Sequence, residues 1–412
     1  MKQQIGYFAI IIYTLYIISG TIKTIMLAYN MSFPIDISIL SALFLLLIII
    51  LTFYKYRDFN RDFLQVNIYF LLFFAWMLIS SIYTPSYSYW SHKIVYFLTN
   101  FVAFIFPLIY YREFDSKWFF KMLILFTTII DLIFVINVLP DIYINEAFYK
   151  ASGMYLDVAT YSGLNILLFV INRVKFKIPL VGITLLLLNL YTLVASGGRG
   201  GLIFTVLLLF IYMVKNFNKY FIVIISSTLA LALAISMHSV NISKKSVEEG
   251  DRTINVAQRS INRLLLLYDN ITEGSKEVSD NKSVNERLEY LEFCKEKIFE
   301  NPVSFLFGYG NGSFSREFDG TDRRLYPHNI VLEILFEMGV VGLILFLLFY
   351  TEVVKNYKYS STIWAVVYLT LNSMKSSNLT DIRLLFAIMA IMILEAQLSD
   401  EKENKLLGGR KK

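Results

Sequence analysis

Apolar residues in this chain come in runs of about twenty, the length a helix needs to cross a bilayer. In order, the runs extend from Gly6 to Leu27, Ile35 to Tyr54, Phe63 to Tyr83, Ile94 to Tyr111, Trp118 to Val138, Leu156 to Ile171, Ile178 to Ala195, Leu202 to Val214, Tyr220 to Met237, Asn329 to Tyr350, Ser361 to Met374 and Ile382 to Leu398. The eighth and eleventh are short. The pattern predicts an all-α polytopic membrane protein of about 12 transmembrane helices, with one large extracytoplasmic loop between helices 9 and 10.

Loop charges orient these helices. Lys55, Arg57 and Arg61, then Arg112 and Lys117, then Arg173, Lys175 and Lys177, then Lys215 and Lys219, then Lys355 and Lys358 all fall on one side, with the basic tail of residues 399–412. The opposite short loops hold only Lys93, Lys150, Arg199 and Lys375, with Arg383 just beyond. The positive-inside rule then makes both termini cytoplasmic and puts residues 238–328 outside, since long segments translocate regardless of charge. The layout is residues 1–237 as helices 1–9, 238–328 as the loop, 329–398 as helices 10–12, and 399–412 as the tail. The opening run follows Met1-Lys2-Gln3-Gln4 without a small-residue cleavage site and reads as a retained helix.

Inside the outer segment, Ile261 to Tyr268 is too short to span and suits the headgroup layer. Ser283-Val-Asn-Glu286 has capping-box spacing and predicts a helix to Glu300, stopped by Pro302, with Leu288, Leu291, Cys294 and Ile298 as its apolar stripe. Gly308-Tyr-Gly310-Asn-Gly312 predicts a turn; without a βαβ context it is not a dinucleotide motif.

Composition agrees with the pattern: 56% of residues are hydrophobic and only 17% charged, well outside a soluble domain. The single cysteine, Cys294, cannot make an internal disulfide, and no Cys/His cluster has zinc spacing. No metal or cofactor is expected. The net charge of +6 follows membrane topology, not nucleic-acid binding.

The stretch from Tyr326 to Ile344 carries the candidate chemistry. Pro327-His328-Asn329 sits at the mouth of an apolar run holding Glu333, Glu337, Gly339 and Gly342. A histidine at the water–bilayer boundary can take a proton near neutral pH; the alternative is a plain helix cap. Arg199 lies in Ala195-Ser-Gly-Gly-Arg-Gly-Gly201, where glycines leave the guanidinium uncovered and its planar fork suits phosphate oxygens. Its alternative is a topological anchor. Arg287 lies in the first turn of the outer helix. Arg323, Arg324, Tyr326 and Asn329, beside His328 along the chain, are candidate substrate-binding residues, with a solvated surface pair as the alternative for the two arginines. Asp131, midway along the fifth helix, is expected to be hydrogen-bonded or protonated, and Lys23 to snorkel. Several cations and one histidine beside an apolar body suit a lipid-linked diphosphate, with the cations stabilising the leaving group and the histidine accepting a hydroxyl proton.

These residues resemble the O-antigen polymerase and O-antigen ligase superfamily, the Wzy-type membrane glycosyltransferases of bacterial surface polysaccharide assembly. Three pieces carry the likeness: Ser196-Gly-Gly-Arg199-Gly, Arg287 in Glu286-Arg-Leu-Glu-Tyr, and His328-Asn329 followed by Gly339-Val-Val-Gly342. It covers about Thr184 to Tyr350. The resemblance implies catalytic roles for Arg199, Arg287 and His328 in a metal-independent inverting transfer of glycan from undecaprenyl diphosphate to an acceptor hydroxyl. It implies an undecaprenyl-diphosphate-linked oligosaccharide donor and acceptor, a place in the inner membrane with the active site on the extracytoplasmic face, and leaves room for a chain-length regulator. A polymerase is favoured because nothing dedicated to a lipopolysaccharide core is evident. The alternatives are an O-antigen ligase acting on lipid A core, or a transporter or flippase for the same lipid-linked glycan, which repeated halves and broken helices would accompany.

Overall fold

The computed structural model describes residues 2–31, 36–56, 61–139, 153–216, 282–356 and 360–408. Within them the chain is helical: α1 (Lys2–Ala28), α2 (Ile37–Tyr56), α3 (Arg61–Ser80), α4 (Tyr89–Ile109), α5 (Ser116–Ile133), α6 (Met154–Val170), α7 (Pro179–Ala195), α8 (Arg199–Lys215), α9 (Lys282–Ile298), α10 (Pro302–Phe307), α11 (Phe314–Asp319), α12 (Ile330–Asn356), α13 (Ile363–Ser376) and α14 (Arg383–Gly408). Every apolar run read from the sequence falls on one of these helices except Tyr220 to Met237, which lies outside the described residues. Also outside them are Ile261 to Tyr268, Lys150, Lys219, Lys358 and the tail beyond residue 408. Among the described residues, the helical stretches Gly6–Ala28, Ile37–Lys55, Tyr89–Ile109, Ser116–Val138 and Ile330–Lys355 are long and apolar enough to cross a membrane.

The helices start where local chemistry satisfies their orphan N–H groups. Asp115 caps α5, its Oδ1 accepting from the amides of Lys117 and Trp118 at 3.0 and 3.1 Å. Pro179 opens α7 at a position where a missing N–H costs nothing. The N-terminus of α4 is served from a distance: Asp322 Oδ2 accepts from the amides of Tyr87 and Ser88 at 2.9 and 2.6 Å, and Oδ1 from Ser86 Oγ at 2.6 Å.

Between lipid-exposed helices the hydrophobic effect gives little drive, so packing and polar bonds must hold the bundle. α14 lies at its centre, with every side chain from Leu385 to Leu394 buried. Phe70 of α3, Phe104 of α4, Phe349 of α12 and Phe386 of α14 form one aromatic knot, with centroid separations of 5.5 Å for Phe70–Phe349 and 5.4 Å for Phe104–Phe349. A polar seam joins α5, α6 and α7. Asp131 accepts from Ser162 Oγ at 2.9 Å, and Asn165 Nδ2 donates to Asn189 Oδ1 at 2.7 Å. By contrast α2 turns Ile39, Leu43, Leu47 and Ile50 outward, each more than half exposed, the surface a lipid tail would cover.

α12 is kinked at Gly339, whose φ of 66° and ψ of −170° leave the helical region. The kink frees carbonyls one turn back, and backbone carbonyls cannot be left unpaired in a dry interior. The loop before α12 supplies their partners: Tyr309 N donates to Phe336 O at 2.9 Å and Gly310 N to Glu337 O at 2.8 Å, while Trp76 Nε1 of α3 donates to Met338 O at 2.9 Å. Only glycine fits there, because a Cβ on Gly339 would strike the backbone of Leu306 and Phe307.

Two expectations need correction. The buried stripe of α9 is Tyr290, Cys294 and Ile298, whereas Leu288 and Leu291 are 52% and 49% exposed. The helix presents its aromatic face to Phe314 and Phe336, so the contact follows ring packing and not the leucine spacing. Lys93 is not a loop charge. It lies within α4, fully buried, paired with Glu333 and with Glu337 at 2.6 Å. Glu333 Oε2 also accepts from Leu379 N at 2.7 Å, and Glu337 Oε2 from Gly312 N at 2.8 Å. Two carboxylates four residues apart on one buried face of α12 require a cation between them, and α4 provides it.

Candidate functional site

A cavity of about 400 Å³ opens where one end of the bundle gathers. Its walls come from the C-terminal ends of α1 and α13, the N-terminal ends of α6, α8 and α14, and the segment leading into α12. Up-and-down helices bring these ends together although the sequence scatters them from Ile17 to Leu384.

His328 stands at this wall in a constrained backbone. Its φ of 58° is left-handed, unusual for a residue with a Cβ and costing on the order of 1–3 kcal/mol. The next residue explains the turn. Asn329 Oδ1 accepts from the amides of Val331 and Leu332 at 2.9 and 3.0 Å, so the chain must swing through His328 to set that cap. Two rings hold the imidazole: Tyr326 edge-on at 4.6 Å and Tyr290 of α9 stacked at 6.1 Å. Burial, reinforced by the charge of Arg287 and opposed by a hydrogen bond to the Ser376 backbone, pushes the His328 pKa down to about 4. The imidazole is therefore neutral at pH 7, and Nδ1 has no hydrogen-bond partner. With its one proton on Nε2, the neutral imidazole offers the Nδ1 lone pair to accept another.

Cations surround it. Lys375, at the end of α13, lines the cavity and feels the charges of both Arg287 and Arg199. Its ammonium lies over the start of α8, where a Cβ built on Gly200 would stand 2.6 Å from Lys375 Nζ. Arg383 lines the cavity with Nη1 donating to Tyr16 O at 3.1 Å and Ser19 Oγ at 2.8 Å. Arg324 pairs with Asp381, which also accepts from Asn378 Nδ2 at 2.9 Å.

The structure thus distributes the expected site residues unevenly. His328, Arg324 and Tyr326 line the cavity. Arg199 and Arg287 do not line it, though the charges of both reach Lys375 and that of Arg287 reaches His328. Arg323 stands apart, 62% exposed and paired with Asp319 at 2.5 Å. Asn329 is occupied as the cap of α12. The glycines around Arg199 have a packing reason: a Cβ on Gly198 or Gly201 would strike Ala159 of α6, so they let α8 close against α6. Sequence reading missed Lys375, Arg383 and Asp157 as cavity residues, having taken the two cations for topology markers. Glu333 and Glu337, four apart in an apolar run, were a legible signal that a counter-charge such as Lys93 had to exist.

Residues 184–347 match the family model described as O-Antigen ligase, Wzy_C. This segment is similar to the O-antigen polymerase and ligase superfamily. Arg199, Arg287 and His328 fall inside the matched segment, whereas Asp157, Lys375 and Arg383 fall outside it. No curated protein matches the chain. This match and the apolar helices together indicate a membrane protein.

Proposed function

We propose that the protein is a polymerase that joins undecaprenyl-diphosphate-linked oligosaccharide units at the extracytoplasmic face of the inner membrane. The observation that carries this reading is a neutral His328, its Nδ1 unpartnered, in the wall of a cavity that Lys375 also lines, with the charges of Arg199 and Arg287 reaching Lys375. In the proposed step, His328 takes the proton of the acceptor hydroxyl as its oxygen bonds the anomeric carbon. The bond from that carbon to the diphosphate breaks with inversion, and the electron pair leaves on undecaprenyl diphosphate. The cations neutralise the charge that develops there, each hydrogen bond to an ionised phosphate being stronger than a neutral one. The twelve-helix layout with both termini cytoplasmic belongs to the same proposal.

The description of the matched family favours a second reading, ligation of the glycan to lipid A core. One incubation separates them: purified protein with the lipid-linked repeat unit alone, products resolved on a gel. A ladder of regular spacing supports the polymerase. Transfer only when lipid A core is added establishes the ligase, and no transfer in either arm refutes both.

A further inference from the structure

The cavity lining is chemically mixed. His328, Lys375, Arg324 and Arg383 bring a base and cations; a second wall, built by α1 and α6 with Arg383 held against α1, carries Thr21, Thr24, Asp157, Thr160 and Tyr161. Most polar groups on the second wall are already engaged. The hydroxyls of Thr21 and Tyr161 share a hydrogen bond of 2.8 Å, and Thr160 Oγ1 donates to Leu156 O at 2.8 Å. Asp157 differs. Its side chain is exposed, the surface around it is the cavity, and among the described residues it makes no hydrogen bond or ion pair. Arg324, whose charge reaches it, is taken by Asp381. An unpaired carboxylate at the mouth of a membrane bundle is costly to keep and points to a ligand.

We infer that the α1–α6 wall is the subsite for the acceptor sugar, with Asp157 accepting hydrogen bonds from its hydroxyls. This rests on the transfer reading above. A carboxyl group presents two oxygens side by side and so matches neighbouring sugar hydroxyls, which can each donate. An undecaprenyl diphosphate without sugar offers no such hydroxyls, so its binding rests on the cations that line the cavity, Lys375, Arg324 and Arg383.

The test measures binding of two lipids to the full-length protein in nanodiscs: undecaprenyl diphosphate, and the undecaprenyl-diphosphate-linked repeat unit accumulated by cells lacking this gene. Asp157→Ala is expected to weaken binding of the sugar-bearing lipid at least tenfold while leaving undecaprenyl diphosphate unchanged. Asp157→Asn, which keeps one accepting oxygen and the side-chain shape, should fall between. Unchanged binding of both lipids by Asp157→Ala overturns the subsite, as does equal loss of both, which would place Asp157 in the general architecture of the cavity. The transfer reading fails separately, if the unmodified protein binds neither lipid.

Discussion

Lys93 of α4 and Glu333 of α12 form an ion pair almost wholly removed from solvent, 240 positions apart in the chain. Through Glu333 the pair reaches Leu379, beside the segment that carries Ser376, Ser377 and Asp381 to the cavity; through Glu337 it reaches Gly312 in the segment before α12. One buried ammonium thus ties together the helix that follows His328 and two segments that shape the site.

Removing one partner of such a cluster leaves an uncompensated buried charge, at a cost of about 3–5 kcal/mol. Lys93→Ala should therefore lower the thermal midpoint in detergent sharply. Neutralising the whole cluster, with Lys93→Met, Glu333→Gln and Glu337→Gln combined, should recover much of the loss. A single variant as stable as the parent would show that the pair is dispensable.

His328→Ala should reduce transfer by about 10²–10⁴-fold, the usual contribution of a positioned base, while the protein still inserts. Arg199→Lys should also be poorly tolerated, since a point charge does not reproduce a planar fork. Product yield against membrane content checks both; full activity of the lysine variant would reduce Arg199 to a simple positive charge.

The pH dependence follows from the direction of the His328 shift. An ordinary imidazole protonates near 6.5, but this one stays neutral down to about 4. The acid limb of kcat/KM should accordingly fall near pH 4. Arg287→Ala, by removing a charge that lowers the pKa, should move that limb upward. Stability runs with the same sign: below 6.5 the unfolded histidine binds a proton that the folded one refuses until about 4, so this group withdraws stability across that window and has no effect above it. Initial rates between pH 4 and 8 decide the matter, and a limb at 6.5 would contradict the assignment.

Asp322→Ala should cost about 0.5–2 kcal/mol, as loss of a cap does, and loosen the segment between α11 and α12 from α4. Burial works against its ionisation, but hydrogen bonds from Ser86, Ser88 and Tyr87 outweigh it and hold the carboxyl at about 2. Its contribution is complete above the ordinary carboxylate range near 3.9 and is lost as pH falls through 2. Limited proteolysis of the segment around Asp319 reports the loosening; an unchanged cleavage rate would count against it.

Much of the bundle was legible because apolar runs are a one-dimensional signal. The stretch around His328 was also legible, because a polar knot at the mouth of an apolar run needs a reason. What escaped was pairing. Lys93, Lys375 and Arg383 each lie at the edge of an apolar run, where a cation serves equally well as a topology marker, and only the packed helices show what each faces. Asp157 escaped for a similar reason: one acidic residue near the start of a run carries no spacing. The packing role of Gly198 and Gly201 beside Arg199 also escaped, since a sequence cannot tell a backbone opened for a ligand from one opened for a neighbouring helix such as α6.

The kink at Gly339 bears on how such proteins can be recombined. The hydrogen bonds of α12 are completed by Tyr309 and Gly310, residues of the segment between α10 and α11. A chimera that grafts a related protein's segment onto this bundle imports foreign donors for carbonyls that lipid cannot solvate. Loop and helix are one inherited unit, and the natural cut points lie outside the stretch from Pro302 to Gly342.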